Sequence, residues 1–219
     1  MARANARSST AAQAGAAWTI AGRHWPSVVL FVGLALGVFV VDLLAKQLAF
    51  TYVADEPIVL TREKIDDGFV VPYHKGKVIL PGILQLKLTV NRGAVFGMGQ
   101  GNQAFFAMVS VMAVVVIGWV FSLSRAGAWL QHLALALILA GALGNLYDRI
   151  LYDGVRDMLY LFPGVHLPFN WRWSSQSNEV FPWIFNIADV SLLLGVSGLL
   201  IMSWFGNGRH EQAGPSGRH

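Results

Sequence analysis

Four long apolar stretches decide what this 219-residue chain can fold into. They run from about Pro26 to Phe50, Ala104 to Leu123, Ala128 to Asn145 and Ile184 to Phe205. Each approaches the roughly 20 residues that a helix needs to cross a bilayer. In lipid a helix is favoured because it satisfies its own backbone hydrogen bonds. Composition agrees: 55% of residues are hydrophobic, 13% are charged, and the mean hydropathy is +0.52. A soluble domain carries about 25% charged residues. Disorder, a coiled coil and an ordinary cytosolic enzyme are therefore excluded. The chain has no cysteine, which removes a disulfide framework, a thiol nucleophile and a Cys-ligated metal site. A net charge of +4 would suit a nucleic-acid partner, but the basic residues are dispersed. They read better as topology signals and contacts with membrane lipid.

An even number of crossings places both termini on one side. Arg3, Arg7, Arg23, Arg125 and Arg209 flank that side, together with Trp25, Trp119, Trp129 and Trp204 as an interfacial belt. Arg62, Lys64, Lys75, Lys77, Lys87 and Arg92 fall in the long first loop, and long loops translocate largely regardless of charge. The expected topology has both termini in the cytoplasm. Residues 1–25 are expected to form a mobile arm and residues 206–219 a disordered tail, with one membrane domain over 26–205. The first apolar stretch is too long for a signal-peptide core and carries Asp42 and Lys46, so it is expected to stay uncleaved. In the outer loop 51–103, Leu84, Leu86, Leu88 and Val90 alternate with polar residues, a half-buried strand pattern. Val70-Val71 and Val78-Ile79-Leu80 flank His74-Lys75-Gly76 as a second hairpin candidate. The outer loop 148–183 is rich in aromatics, including Phe162, Phe169, Trp171, Trp173 and Phe181. The expected fold is an all-α membrane protein: four transmembrane helices with a small extracytoplasmic β-sheet between helices 1 and 2.

Polar and ionisable residues at membrane depth are expensive, and each asks for a reason. They gather at the outer helix ends. Asp42 and Lys46 are four apart, an ion-pair spacing on a helix. That pair either ties the helix to the loop sheet or touches substrate. Asn145, Asp148 and Arg149 share one face, and Gly141 and Gly144 before them permit close helix approach. Asn186 and Asp189 share a face of the fourth helix. Asp157 sits among apolar neighbours in the second loop, and so can meet Asp189 at one depth. Two adjacent carboxylates do not easily both ionise: one keeps a proton while the other serves as base. Such a pair can activate water against an amide without a metal or cofactor. Proton relays, and salt bridges to Arg149 or Arg156, are open alternatives. There is no HExxH or other metal-ligand spacing. A Ser/Lys dyad would have to use Lys46, with Ser110 as a conceivable partner.

Five blocks then occur in order: Asp42-Leu43-Leu44-Ala45-Lys46, Asn91-Arg92-Gly93-Ala94-Val95-Phe96-Gly97, Gly141-Ala142-Leu143-Gly144-Asn145-Leu146-Tyr147-Asp148-Arg149, Val155-Arg156-Asp157 and Phe185-Asn186-Ile187-Ala188-Asp189. Together they resemble the lipoprotein signal peptidases, the bacterial signal peptidase II family. The resemblance implies an intramembrane aspartic endopeptidase of the bacterial inner membrane. It implies removal of a prolipoprotein's signal peptide just before a diacylglyceryl-modified cysteine, near the outer leaflet, by a chain that needs no second copy. By position, Asp157 and Asp189 are the catalytic pair. Asn145, Asp148, Arg149 and Asn186 orient it and hold substrate backbone, with Ala188, Asp42 and Lys46 in the supporting set. Asn91, Gly93 and Ala94 bring the loop sheet, the family's cradle, over the cleft. The stretches 61–77 and 163–182 look longer than usual. Met158 stands where Phe is common and Arg156 where an apolar residue is common, and a cation beside the pair would favour ionised Asp157. The long second loop is a candidate flap. The rival readings are a small proton-coupled transporter and a non-catalytic membrane scaffold.

Overall fold

The structure, a computed structural model, describes residues 19–93, 103–172 and 177–211, without the side chains of 170 and 206–211. Four helices among them are long and apolar enough to cross a membrane: α1 (Trp25–Tyr52), α3 (Gln103–Leu123), α4 (Trp129–Tyr152) and α5 (Ile187–Glu211). A one-turn helix, α2 (Arg62–Asp66), interrupts the first loop, with the Thr61 hydroxyl accepting from the Lys64 N–H as its cap.

α4 is the central helix. Of its most apolar stretch 56% is buried, against 11–17% in the others. Its buried face is built largely of small residues, among them Ala134, Ala136, Ala140, Gly141, Ala142 and Gly144, which let neighbouring backbones come close. α5 answers with Gly195, where a Cβ would lie 2.5 Å from Ile138 Cγ1 and 2.6 Å from the Ala134 carbonyl. Overpacking of this kind costs roughly 1–3 kcal/mol. Gly195→Ala is therefore expected to lower the thermal midpoint in detergent, whereas Gly198→Ala, whose added methyl meets only Ala134 Cβ at 3.5 Å, is expected to leave it within error.

The termini-bearing end is fastened by backbone bonds from Ala21 N–H to Ser124 O (2.8 Å) and Ala126 N–H to Thr19 O (2.9 Å), over stacked Phe31 and Phe121. Residues 19–25 are thus ordered where the arm was expected, and α5 continues to Glu211 into the expected tail. Residues 1–18 and 212–219 lie outside the described residues.

At the opposite end, β1 (Lys77–Leu80), β2 (Leu84–Asn91), β3 (Val155–Leu161) and β4 (Ile184–Phe185) form one antiparallel sheet in the order β1-β2-β3-β4. Two strands come from the first loop, as expected, and two from the second, which periodicity did not reveal. Val155 through Met158 are all buried, so β3 has no alternation to read. The hairpin turn lies at Pro81-Gly82-Ile83, not at His74-Lys75-Gly76, and residues 70–71 are not in a strand. Leu88 and Met158 pack with Ala49, Phe50 and Val53 into a second core that seats the sheet on the end of α1.

α4 also outruns its apolar stretch by two turns, ending at Tyr152 where Asp153 (φ 53°) turns the chain into β3. Asn145, Asp148 and Arg149 are therefore interior helical residues, and the second loop begins at 153, not 148.

Candidate active site

The site lies where the ends of α4 and α5 meet the sheet. Asp157, on β3 opposite Thr89 of β2, is 1% exposed. Asp189 opens the first turn of α5 and faces a cavity of about 460 Å³. Asn186 joins them. Its Nδ2 donates to Asp157 Oδ1 at 2.6 Å, its N–H donates to Asp189 Oδ2 at 3.2 Å, and its Oδ1 accepts from the Asp189 N–H at 2.9 Å. Asn145 completes the ring: its Nδ2 donates to Asp189 Oδ1 at 2.8 Å, and its Oδ1 accepts from Asn186 Nδ2 at 3.1 Å. Asn91 of β2 also hydrogen-bonds Asp157. Burial, then the charge of nearby Asp189, pushes the Asp157 carboxyl well above the usual carboxylate range, against the opposing effect of the Asn186 bond.

A compact charge cluster lies beneath. Lys46 Nζ is 2.7 Å from Asp42 Oδ2, 3.3 Å from Asp148 Oδ2 and 3.3 Å from Asn145 Oδ1. Lys46, Asp42 and Asp148 are all fully buried, and none lines the cavity. Asp42 Oδ1 accepts the Ala188 N–H at 2.9 Å, so a carboxylate from α1 caps the N-terminus of α5, where negative charge is favoured. The ion pair thus lies beneath the two aspartates and outside the cavity lining. Ala188 is buried to 0% because Gly141 and Gly144 bring α4 against it; a Cβ on Gly144 would fall 2.5 Å from Asp42 Oδ2. Lys46 is therefore committed to carboxylates, while the Ser110 hydroxyl donates to its own helix at Phe106 O, and the Ser/Lys alternative falls away.

Arg156 does not stand beside the aspartates. Successive strand residues point to opposite faces, and its guanidinium binds Asp148 Oδ1 through Nε (3.1 Å) and Nη2 (2.8 Å). The expectation that Arg156 stands as a cation beside the pair is corrected: its guanidinium is turned to Asp148.

Arg149 rims the cavity. It donates to Asn145 O and Gly93 O, both at 3.3 Å, with its guanidinium carbon 5.6 Å from the Phe106 ring centre. It so ties the end of the sheet loop to α4, and Gly93 N–H turns back onto Asn91 Oδ1 at 2.9 Å. Ala94 lies outside the described residues. The remaining lining is apolar, chiefly Phe105, Phe106, Val109, Phe181, Trp183 and Phe185. Phe181 packs edge-on against both Trp183 and Phe185. These aromatics of the second loop line the cavity, whereas Phe169 and Trp171 are exposed and do not line it, and 173–176 lie outside the described residues. Among the described residues no group of three or more His, Asp or Glu side chains could hold a metal ion.

The family described as Signal peptidase (SPase) II matches residues 34–205. The chain belongs to this family. It is 31% identical over 176 residues to a lipoprotein signal peptidase of Sulfurihydrogenibium sp. (strain YO3AOP1), covering 78% of this chain and 88% of that one. It is 32% identical over 182 residues to that of Anoxybacillus flavithermus (strain DSM 21510 / WK1), covering 82% and 88%. A solved bacterial membrane enzyme has a similar fold, with a TM-score of 0.60 over 85% of this chain and 94% of that one at 22% identity.

In this member of the signal peptidase II family, two polar residues near the site, Gln103 and Gln47, are not among the candidates read from the sequence. Gln103, 6% exposed, donates through Nε2 to the Arg92 carbonyl, and Gln47 Oε1 accepts from Arg156 Nη1 at 3.4 Å. Both are polar residues on apolar helices, and that same cost of polarity in lipid would have flagged them. Arg92 and Arg62 hold Asp153 at 3.1 and 3.6 Å, and Arg92 Nη1 donates to Ile65 O at 3.2 Å. The stretch 61–77 is thereby pinned to the turn that launches β3. Arg92→Ala is expected to release that stretch, read as faster amide hydrogen exchange over α2 with exchange in α4 unchanged.

Proposed function

We propose that this peptidase is an intramembrane aspartic endopeptidase in which Asp157 and Asp189 share one proton, acting on lipid-modified prolipoproteins. The observation that carries the reading is the single Asn186 side chain and backbone hydrogen-bonded to both carboxyl groups at the mouth of an apolar cavity. Asp189, open to the cavity, is the base that receives a water proton. Asp157, dry and pushed toward its acid form, protonates the carbonyl oxygen of the scissile amide as the peptide seats. The resulting tetrahedral diol collapses as its C–N bond breaks. Asp189 returns its proton to the leaving amine, and Asp157 takes back a diol proton, so the pair ends with the one proton it began with. The pair titrates as a unit and gives a bell-shaped pH–kcat profile. The apolar, aromatic cavity suits the acyl chains and the small apolar residues of a lipid-bearing precursor. The active site then faces the outer leaflet, with both termini in the cytoplasm.

The test uses the purified full-length protein in detergent and a precursor with or without diacylglyceryl on its cysteine. The expected result is one cut, immediately before the modified cysteine, with no cut in the unmodified precursor and none by Asp189→Asn. Cleavage by Asp189→Asn, or indifference to the lipid, would overturn it. A proton-coupled transporter is disfavoured because the buried acidic residues gather at one end of the bundle instead of crossing it.

A further inference from the structure

Arg156 is a cation buried to 4% exposure and adjacent in the chain to Asp157, and neither the water-activating chemistry nor the cavity uses it. Its contacts are unusually complete. Its backbone N–H donates to Asp148 Oδ2 (2.9 Å), Nε and Nη2 donate to Asp148 Oδ1, Nη1 donates to Gln47 Oε1, and the Tyr152 ring centre lies 4.7 Å from the guanidinium carbon. Two features follow. Asp148 on α4 and Arg156 on β3 close the turn at Asp153 and Gly154, so the clamp fixes the rotation of β3 about its own axis. Fixing Arg156 toward Asp148 fixes Asp157, one residue on, toward the opposite face. The buried cluster also becomes neutral: Asp42 and Asp148 against Lys46 and Arg156. Without Arg156, Lys46 alone would face two carboxylates.

The geometry points to Arg156 as a positioning residue of this active centre: through Asp148 it aims Asp157 at Asp189, and it holds the charge beneath the pair at zero. This rests on the aspartic reading above. The charged groups that face Asp157 are Asp189 from α5, Lys46 from α1 and Arg149 from α4, with the Asn91 amide from β2. Removing one cation from the cluster favours the protonated form of both aspartates.

The experiment measures pH–kcat and KM on lipid-modified precursor for the full-length enzyme, Arg156→Met, Arg156→Lys and the neutral double variant Arg156→Met/Asp148→Asn. In Arg156→Met, kcat should fall roughly tenfold to a hundredfold with KM unchanged, and the bell should move about half a pH unit or more to higher pH. Arg156→Lys and the double variant keep the charge balance, so their bells should stay at the wild-type pH although kcat is lowered. Wild-type kinetics in Arg156→Met, or a loss with an unmoved bell, would overturn the inference. If Arg156→Met does not fold, the other two decide: bells in place support it, shifted bells sink it. An active wild type, a dead Asp189→Asn and an indifferent Arg156→Met would refute this inference alone. An active Asp189→Asn would refute the aspartic reading.

Discussion

Asp157→Asn is expected to abolish cleavage and, at neutral pH, to make the protein more stable. Loss of one member of a proton-transferring pair removes roughly 10²–10⁴-fold of rate, with precursor binding retained because the apolar cavity is untouched. The stability gain follows from linkage. Asp157 is 1% exposed, and burial followed by the Asp189 charge raises its folded pKa above the unfolded value. A carboxyl raised in this way contributes stability that is fully present below the unfolded pKa, near 3.9. That contribution is lost as pH rises through the folded value. Asparagine resembles the protonated acid, still accepts the Asn186 bond, and has nothing to lose on the alkaline side. The thermal midpoints of wild type and variant should therefore coincide near about pH 4 and separate as pH rises, the variant becoming the more stable. Midpoints that stay parallel across the range would show that Asp157 ionises in the folded protein as it does in water.

The second large effect falls on Lys46. Its ammonium stands between Asp42 and Asp148, all three fully buried. Replacing it with methionine leaves those carboxylates with Arg156 as their one cation. Breaking a buried pair by removing one partner costs roughly 3–5 kcal/mol, because the charge left behind is uncompensated. Lys46→Met should show a large drop in midpoint in detergent and lose the Asp42 cap on α5. The double variant Lys46→Met/Asp42→Asn restores the charge balance and should recover much of that loss. A double variant no more stable than the single one would mean that the lysine stem, and not its charge, holds the helices together.

How far the sequence foretold this site depends on the kind of signal each residue leaves. Asp157, Asp189, Asn145 and Asn186 stand out because polarity among apolar neighbours at membrane depth is rare, and the structure joins all four in one hydrogen-bonded network, a ring of Asn145, Asn186 and Asp189 to which Asn186 links Asp157. The rotation of β3 leaves no such mark. Arg156 and Asp157 are adjacent in the chain and both buried, so a linear reading puts the cation beside the acid, whereas the pleat sends it to Asp148. The length of α4 was hidden for a related reason. Asp148 and Arg149 look like the polar end of a membrane helix, yet they are interior residues whose charges are answered by α1, β3 and the loop at Gly93. Strand β4 has two residues, too few for any periodicity, and is held by pairing with Leu159 and Tyr160. The hairpin turn went to Gly82 rather than Gly76, although both glycines have positive φ, because Val78-Ile79-Leu80 finds its partner in Leu84-Gln85-Leu86 across Pro81-Gly82-Ile83.

The proton shared by the two aspartates can be seen directly by infrared difference spectroscopy of the carboxyl stretch at neutral pH, comparing wild type with Asp157→Asn. If a single hydrogen ion is held on Asp157, the variant lacks a protonated carboxylic-acid band that the wild type has. Loss of an ionised carboxylate band in its place would mean that both acids stand charged at rest, and the water-activating pair would be contradicted.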